Sequence, residues 1–259
     1  MTRSSMNPYR VAAFLILDRL KWDFKRQSWT SRAALKQLKH KHRGKKAVIV
    51  CNGPSLMKTD LSLLDDVYTF GLNKINLMFD QASFRPSCVV AVNPFVIEQN
   101  KEFYRGTSIP TFLESRAGIE SGLLNSSDAT FLHSIDMYSF AKDCSFSVFQ
   151  GYTVTYVAMQ LAYHMGFSKV ALIGCDHNFH VNGHANEIQT AEGDDASHFH
   201  KDYFADGQRW QLPDLRQSES CYELAKNNFE ANGRELLNAT VGGQLELLPR
   251  TDLSDFLNS

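Results

Sequence analysis

Residues 48–56, Val-Ile-Val-Cys-Asn-Gly-Pro-Ser-Leu, carry an apolar run straight into a polar tight turn. In that turn, formed by Asn52, Gly53, Pro54 and Ser55, Gly53 allows close approach of a backbone to a ligand. Ser55 offers a hydroxyl and an amide at the start of a helical turn. Such a loop can hold a phosphate or a ribose on backbone N–H groups. It is neither a Walker A loop nor a full G-x-G-x-x-G, and an ordinary β-turn has the same look. Two more apolar runs end in the same residue type, residues 67–72 in Asn73 and residues 88–92 in Asn93-Pro94. Asn52, Asn73 and Asn93 are then expected along one edge of one sheet. Their amides both donate and accept, which suits base edges and ribose hydroxyls. Singly, each is more often a turn former or a cap.

Histidine supplies the second chemical signal. His177, His180, His184, His198 and His200 are five of the nine histidines and fall within 24 residues. An imidazole changes charge near neutral pH, which suits general acid–base work. In an extended segment His198 and His200 face the same side. A wet surface loop with incidental histidines is one competing reading. A metal site drawing on Asp176, Asp194 or Asp195 is another, without an H-E-x-x-H signature behind it. Thr153 and Thr155 flank the start of a helix expected over 154–165. Thr153 is its N-cap candidate, and the free amides there favour an anion. Arg209-Trp210 and Arg250 can meet an acidic sugar or phosphate, or simply pack.

The elements that must position these groups read as short buried strands alternating with helices. Strands are expected over 47–50, 67–72, 88–92, 109–113, 130–132 and 169–173. Helices are expected over 93–103, 154–165 and 217–232, with closing strands over 236–238 and 244–248. This rhythm predicts an α/β, Rossmann-like fold, with a mostly parallel sheet and helices on both faces. Ligands on such sheets bind at the carboxyl ends of the strands. Residues 174–216 interrupt the rhythm as a long polar insertion with the character of a lid. With 43% hydrophobic residues over 259, there is ample material for one large core.

Charge is unevenly spread. Residues 1–46 hold 13 of the 27 Lys+Arg and two acids, Asp18 and Asp23, a net +11; the rest of the chain carries −12. Residues 1–45 are therefore expected as a basic, helical N-terminal arm, and residues 46–259 as the nucleotide-binding domain. The arm is read equally as a membrane-surface helix on an anionic leaflet or as a helix packed on the core or a partner. No nucleic-acid-binding motif accompanies the charge. No apolar run is long enough to span a bilayer and no signal peptide is evident. The expected location is thus cytoplasmic, peripheral at the inner face of the plasma membrane if the arm binds lipid. The five cysteines, widely spaced, read as reduced and buried.

The order strand–Asn-Gly-Pro-Ser-Leu, strand–Asn, strand–Asn-Pro resembles the bacterial sialyltransferases of glycosyltransferase family 42. The likeness continues through the Gly-Phe-Ser-Lys-Val-Ala-Leu-Ile-Gly-Cys-Asp run at 166–176, Asn182-Gly183 and Ser197-His198-Phe199. The same skeleton belongs to a wider group with archaeal 6-hydroxymethylpterin pyrophosphokinase and the motility accessory factors that modify flagellin. It covers roughly residues 46–248.

The resemblance implies a nucleotide held by Asn52, Gly53, Pro54, Ser55, Asn73, Asn93, Thr153, Thr155 and Asp176. It implies metal-independent, inverting transfer of a sialic acid-like sugar from a CMP donor to a surface glycan or glycoprotein. No cofactor is required beyond that donor. The family's catalytic histidine falls on Asp202 here, so His198 or His200 is the expected base. Two family tyrosines fall on His180 and Asn186. His180 is then the expected phosphate donor, with Tyr152, Tyr156 or Tyr203 as substitutes. A second expectation is Mg²⁺-dependent diphosphate transfer from ATP to a 6-hydroxymethylpterin-like alcohol, using Asp176 with Asp194 or Asp195. A third is a non-catalytic nucleotide-binding module. A homo-oligomer is compatible with each of these readings.

Overall fold

Alternate residues of the first strand, β1 (Lys46–Val50), feed two different cores. Ala47 and Ile49 enter one, and Val48 and Val50 the other. A strand buried on both faces must lie inside a sheet covered on both sides. The computed structural model, which describes residues 7–124, 126, 128–178 and 183–259, shows such a sheet. β2 (Tyr68–Leu72), β3 (Cys88–Ala91), β4 (Thr111–Glu114) and β5 (Ala129–Leu132) extend from one side of β1. β8 (Lys169–Ile173) and β11 (Glu235–Asn238) extend from the other. Every pairing among these seven strands is parallel. Two short elements, β6 (Ser134–Ile135) and β7 (Val148–Phe149), pair beside the sheet.

One face is covered by α2 (Arg26–Leu38), α6 (Val154–Met165) and α7 (Leu215–Glu230). The other carries α3 (Pro94–Gln99), α4 (Lys101–Gly106), α5 (Ser115–Glu120) and α8 (Leu253–Asn258). The central helix α6 has the expected bounds because both ends are chemically marked. Thr153 accepts the Thr155 N–H at its start, and Gly166 ends it in the left-handed region, with φ 93°.

Several expectations need correction. The helical arm is not one continuous helix: α1 (Pro8–Asp23) stops at Phe24, Lys25 is extended, and α2 restarts at Arg26. Of the two readings of the arm, α2 takes the one that packs on the body. Ser31 Oγ accepts the N–H of Phe131 at 2.9 Å, which satisfies a donor on the edge strand β5. Residues 93–103 break into α3 and α4 at Asn100, whose amide donates to Asn76 Oδ1 at 2.8 Å. Residues 244–248 are not a strand. The Gln244 N–H goes to the Asp176 carbonyl, and the Leu245 carbonyl takes the Asn238 side chain, so their backbone groups serve loops rather than a ladder. The insertion is not all loop either, since β9 (Ile188–Thr190) and β10 (Arg209–Gln211) form an antiparallel pair. All five cysteines are free and buried, as their apolar neighbourhoods suggest.

Burial of imidazoles links this fold to pH. His164 is fully buried; its Nε2 lies 2.8 Å from the Leu35 carbonyl and its Nδ1 accepts from the Cys144 N–H at 3.3 Å. Only the neutral Nε2–H tautomer satisfies both partners. Burial accordingly holds its pKa below the ordinary 6.5, against the smaller upward pull of Leu35 and Asp143. Burial also lowers His42 and His133. For groups depressed in this way the unfolded chain takes up protons first. Stability is then complete above about pH 6.5 and falls as the pH drops below it. The urea midpoint should decline between pH 7.5 and 5.5, and His164→Gln should flatten that decline. A midpoint that does not move over this range contradicts the assignment.

Candidate functional site

Strand order reverses between β1 and β8, because the chain builds outward from β1 to β5 and then returns to the far side of β1. In parallel sheets a ligand crevice forms outside the carboxyl ends at such a switch point. Here a chamber of about 140 Å³ lies between Cys51-Asn52-Gly53 and Gly174-Cys175-Asp176. It adjoins a cleft of about 440 Å³ that reaches Asn93 and Trp210. Asn73, Tyr152, Thr153, His198 and Tyr203 line both. The larger volume lies in the range of small-molecule sites.

The Gly53 and Ser55 amides of this loop are already engaged within the protein. The Ser55 N–H points at both carboxylate oxygens of Asp176 at 3.2 Å, and the Ser55 hydroxyl donates to Oδ2 at 2.7 Å. Gly53 N–H goes to the Gly174 carbonyl at 2.8 Å. The carboxylate of Asp176 thus occupies the place expected for a phosphate. Ser55 is buried, Pro54 faces solvent, and neither lines the chamber or the cleft. The expected phosphate cradle is instead a clasp joining β1 to β8.

Gly53 is required for that clasp. A Cβ there would stand 2.0 Å from Asp176 Oδ2 and 2.7 Å from the Gly174 carbonyl. Gly174, with φ 64°, crowds back on the Cys51 carbonyl, so neither strand end can retreat.

The three asparagines do meet at one rim, in different ways. Asn52 donates to the Leu72 carbonyl at 3.1 Å, while its Oδ1 is buried with no hydrogen-bond partner. Asn73 sits in the left-handed region, φ 50°, and its Oδ1 is likewise buried and unpartnered. Asn93 Oδ1 caps α3 by accepting the Phe95 and Val96 N–H groups, which leaves its amide nitrogen as the group that can serve a ligand. Buried acceptors left without donors each cost about 1–3 kcal/mol, a cost a bound donor would remove. Thr155 faces the chamber, with its hydroxyl 3.7 Å from Cys51 Sγ, and Thr153 caps α6 at the cleft wall.

The histidines separate. His198 Nδ1 lies 2.8 Å from Asp195 Oδ2, and its ring stacks on Tyr203 with centroids 3.9 Å apart. Burial pushes the Asp195 pKa up, but hydrogen bonding and charge from His198 outweigh it, and the carboxyl ends below its ordinary value. An ionised carboxylate can only accept, so Nδ1 carries a hydrogen toward Asp195 and Nε2 is the ring nitrogen placed to exchange a proton. His200 is absent from the lining of either space. Residues 197–204 are turns rather than an extended segment, so the two rings do not share a side. His200 Nδ1 accepts the Asp202 N–H instead. His177 pairs with Glu219 at 3.0 Å in the chamber wall. His180 lies outside the described residues.

Of the tyrosines, Tyr152 lines the cleft, whereas Tyr156 is buried and donates to the Ser139 carbonyl at 2.7 Å. Tyr203 is fully buried in the cleft wall, its hydroxyl beside the Asn73 side chain. Burial raises its phenol far above the ordinary range, against a smaller downward pull from neighbouring Asn73. Asp194 and Asp195 line a neighbouring groove rather than the cleft, and Arg209 lies over the Phe95 ring.

Sequence reasoning missed Lys74. Its buried ammonium donates to the Tyr203 carbonyl at 2.5 Å and to Gln99 and Gln208 at 2.8 and 2.9 Å. It ties the insertion to the sheet. Burial lowers its pKa to about 8, with Asp195 pulling the other way. A solitary lysine after a strand carries no signal that two of its partners, Tyr203 and Gln208, lie 129 and 134 positions away. The lining of chamber and cleft holds no Lys or Arg among the described residues.

Residues 26–182 match the family model described as 6-hydroxymethylpterin diphosphokinase MptE-like. No curated protein matches the chain. Among solved structures, the Maf glycosyltransferase of Magnetospirillum magneticum AMB-1 superposes with a TM-score of 0.53 at 15% identity. The match covers 87% of this chain but 38% of that one, so the chain spans well under half of that protein. At this identity the likeness establishes the shared Rossmann-like fold.

The clasp yields a direct expectation. Gly53→Ala forces its new methyl against backbone and carboxylate and should lower the melting temperature by several degrees. Asp176→Ala strands the buried Ser55 donors and should cost about 1–3 kcal/mol. Thermal and urea denaturation of both variants check this, and wild-type midpoints in both would contradict it.

Proposed function

This chain belongs to the MptE-like family, and we propose that it is a glycosyltransferase that takes a sialic acid-like sugar from a CMP donor bound at the β1/β8 switch point. One observation carries the reading. Asn52 Oδ1 and Asn73 Oδ1 are buried without partners around a cleft that also holds the Asp195-oriented His198. Neutral groups of this kind suit a ribose and a pyrimidine edge.

Electrostatics favours a donor with a single phosphate. The lining offers no Lys or Arg among the described residues, only neutral donors and the amino end of α6 at Thr153. A helix end and oriented amides can steady one developing negative charge. A triphosphate would need a cation. The fold-level likeness to a Maf glycosyltransferase supports the same class of chemistry.

In the proposed reaction the acceptor hydroxyl gives its proton to His198 Nε2. Its oxygen then forms the new bond to the anomeric carbon. The bond from that carbon to the phosphate oxygen breaks, and CMP departs with the electron pair, inverting the centre. Asp195 steadies the imidazolium that forms. The acceptor is a surface glycan or glycoprotein.

A second reading follows from the family's own description: Mg²⁺-dependent diphosphate transfer from ATP to a 6-hydroxymethylpterin-like alcohol. The aromatic rings of Tyr152 and Trp210 in the cleft suit a flat pterin. Its carboxylates fit less well. Asp176 is engaged by Ser55 and Asp195 by His198, and no group of three or more His, Cys, Asp or Glu among the described residues is placed to hold a metal ion. A regulatory module that binds without turnover is the remaining alternative.

Thermal shift against CMP, CDP, UDP, GDP and ATP with Mg²⁺ separates these. At a hundredfold excess over Kd a ligand adds about 2.7 kcal/mol, a shift of several degrees. CMP alone should produce it. His198→Ala should keep that shift yet slow CMP release from CMP-activated nonulosonic acids by roughly 10²–10⁴-fold. Selective stabilisation by ATP with Mg²⁺ would instead support the diphosphokinase. Turnover indifferent to His198→Ala would remove the base.

A further inference from the structure

The first helix is apolar on two opposite sides, and only one of them is used. At 100° per residue, Val11, Leu15 and Trp22 of α1 share one side. That side faces the body: Trp22 is buried in the core, and Val11 and Leu15 are half-buried. Neighbouring positions dock the helix by ion pairs. Asp18 meets Arg116 at 2.5 Å and His133 at 3.3 Å, and Arg19 reaches the Phe146 carbonyl and the Ser147 hydroxyl. The orientation of α1 on the body is therefore set.

On the opposite side Tyr9, Ile16, Leu17, Leu20 and Phe24 fall within one arc about 100° wide and are all exposed, Phe24 by 86%. Trp29, at the start of the next helix, is 71% exposed and donates its indole N–H to the Asp23 carbonyl. Arg10 and Lys21 border the stripe, and Lys25 and Arg26 follow its end, all exposed. Both acids of the segment are already paired, Asp18 as above and Asp23 with Arg19 and Arg32. The stripe is thus an apolar band with an uncompensated positive rim.

We propose that this face of α1 lies on an anionic lipid surface. Charge decides between lipid and a second copy of the chain. A self-paired stripe would bring two segments of net charge +11 together, whereas an acidic headgroup layer neutralises them. The aromatic groups Tyr9, Phe24 and Trp29 suit the headgroup level, and the aliphatic ones the acyl boundary. No helix among the described residues is long and apolar enough to cross a membrane, so α1 lies along the surface. The body strip that receives Asp18 and Arg19 also leads, through β6 and β7, to Asp136 and Gln150 of the cleft wall.

The test uses the whole chain and vesicles of phosphatidylglycerol with phosphatidylcholine, against phosphatidylcholine alone. Wild-type protein should float with the anionic vesicles at low salt and release at 0.5 M NaCl or so. The emission of exposed Trp29 should shift to the blue on binding. Leu17→Ser/Leu20→Ser/Phe24→Ser, all at exposed positions, should weaken binding at least tenfold while circular dichroism and melting temperature hold. Lys21→Glu/Lys25→Glu should do likewise. Absence of flotation at low salt, equal binding by the serine variant, or a dimer in solution that the serine variant disperses would each overturn the proposal.

Discussion

The contact between Asp176 and Ser55 is what the rest of the molecule depends on at its functional end. Parallel strands diverge where the chain changes direction, and β1 and β8 leave their shared ladder toward opposite connections. The Asp176 carboxylate bridges that gap by taking the Ser55 amide and hydroxyl. Gly53 makes the bridge short enough, because any side chain there would occupy the carboxylate's position. Two other loops are then built on the same point. The Gln244 N–H takes the Asp176 carbonyl, and the Phe199 N–H takes the Asn52 carbonyl. The chamber exists because these strand ends are held apart at a fixed distance, neither collapsing nor fraying.

The site is assembled from two sources of different rigidity. Asn52, Asn73 and Asn93 stand at the ends of buried central strands, where the backbone has little freedom. His198 and Tyr203 come from the insertion, which is fastened by a few contacts. Lys74 reaches the Tyr203 carbonyl from the sheet, and Phe204 and Trp210 stack at 5.1 Å. The recognising groups are thus preorganised on the sheet, while the acid–base group sits on an inserted element held to it by Lys74, by the Phe199 N–H on the Asn52 carbonyl and by buried Phe199 and Tyr203. A cleft that must admit a large acceptor benefits from that division.

Much of the framework was legible in the chain, and the reasons are physical. Strands of a parallel sheet are buried on both faces and read as unbroken apolar runs, so β1, β2, β3 and β8 show in sequence within a residue or two. The bounds of α6 follow from its cap and from Gly166. The wider kinship with MptE-like proteins and motility accessory factors was also readable, from the Asn-Gly-Pro-Ser loop and its two later asparagines. Long-range pairing was not. Ser55 and Asp176 are 121 positions apart, and nothing near either marks the other, so donors already in use looked like donors awaiting a phosphate. His198 and His200 seemed to face together because an extended segment was assumed where the chain makes turns. The broken helix at Phe24 and the two-sided apolar character of α1 emerge only once the body-facing side is known.

A crystal structure of the chain soaked with CMP tests the account most directly. Density for the nucleotide should fill the chamber between the ends of β1 and β8. Its ribose or base should stand within hydrogen-bond distance of Asn52 and Asn73, with the Asp176–Ser55 clasp intact. Nucleotide bound on the Ser55 amide with Asp176 displaced, or bound away from both asparagines, would contradict it.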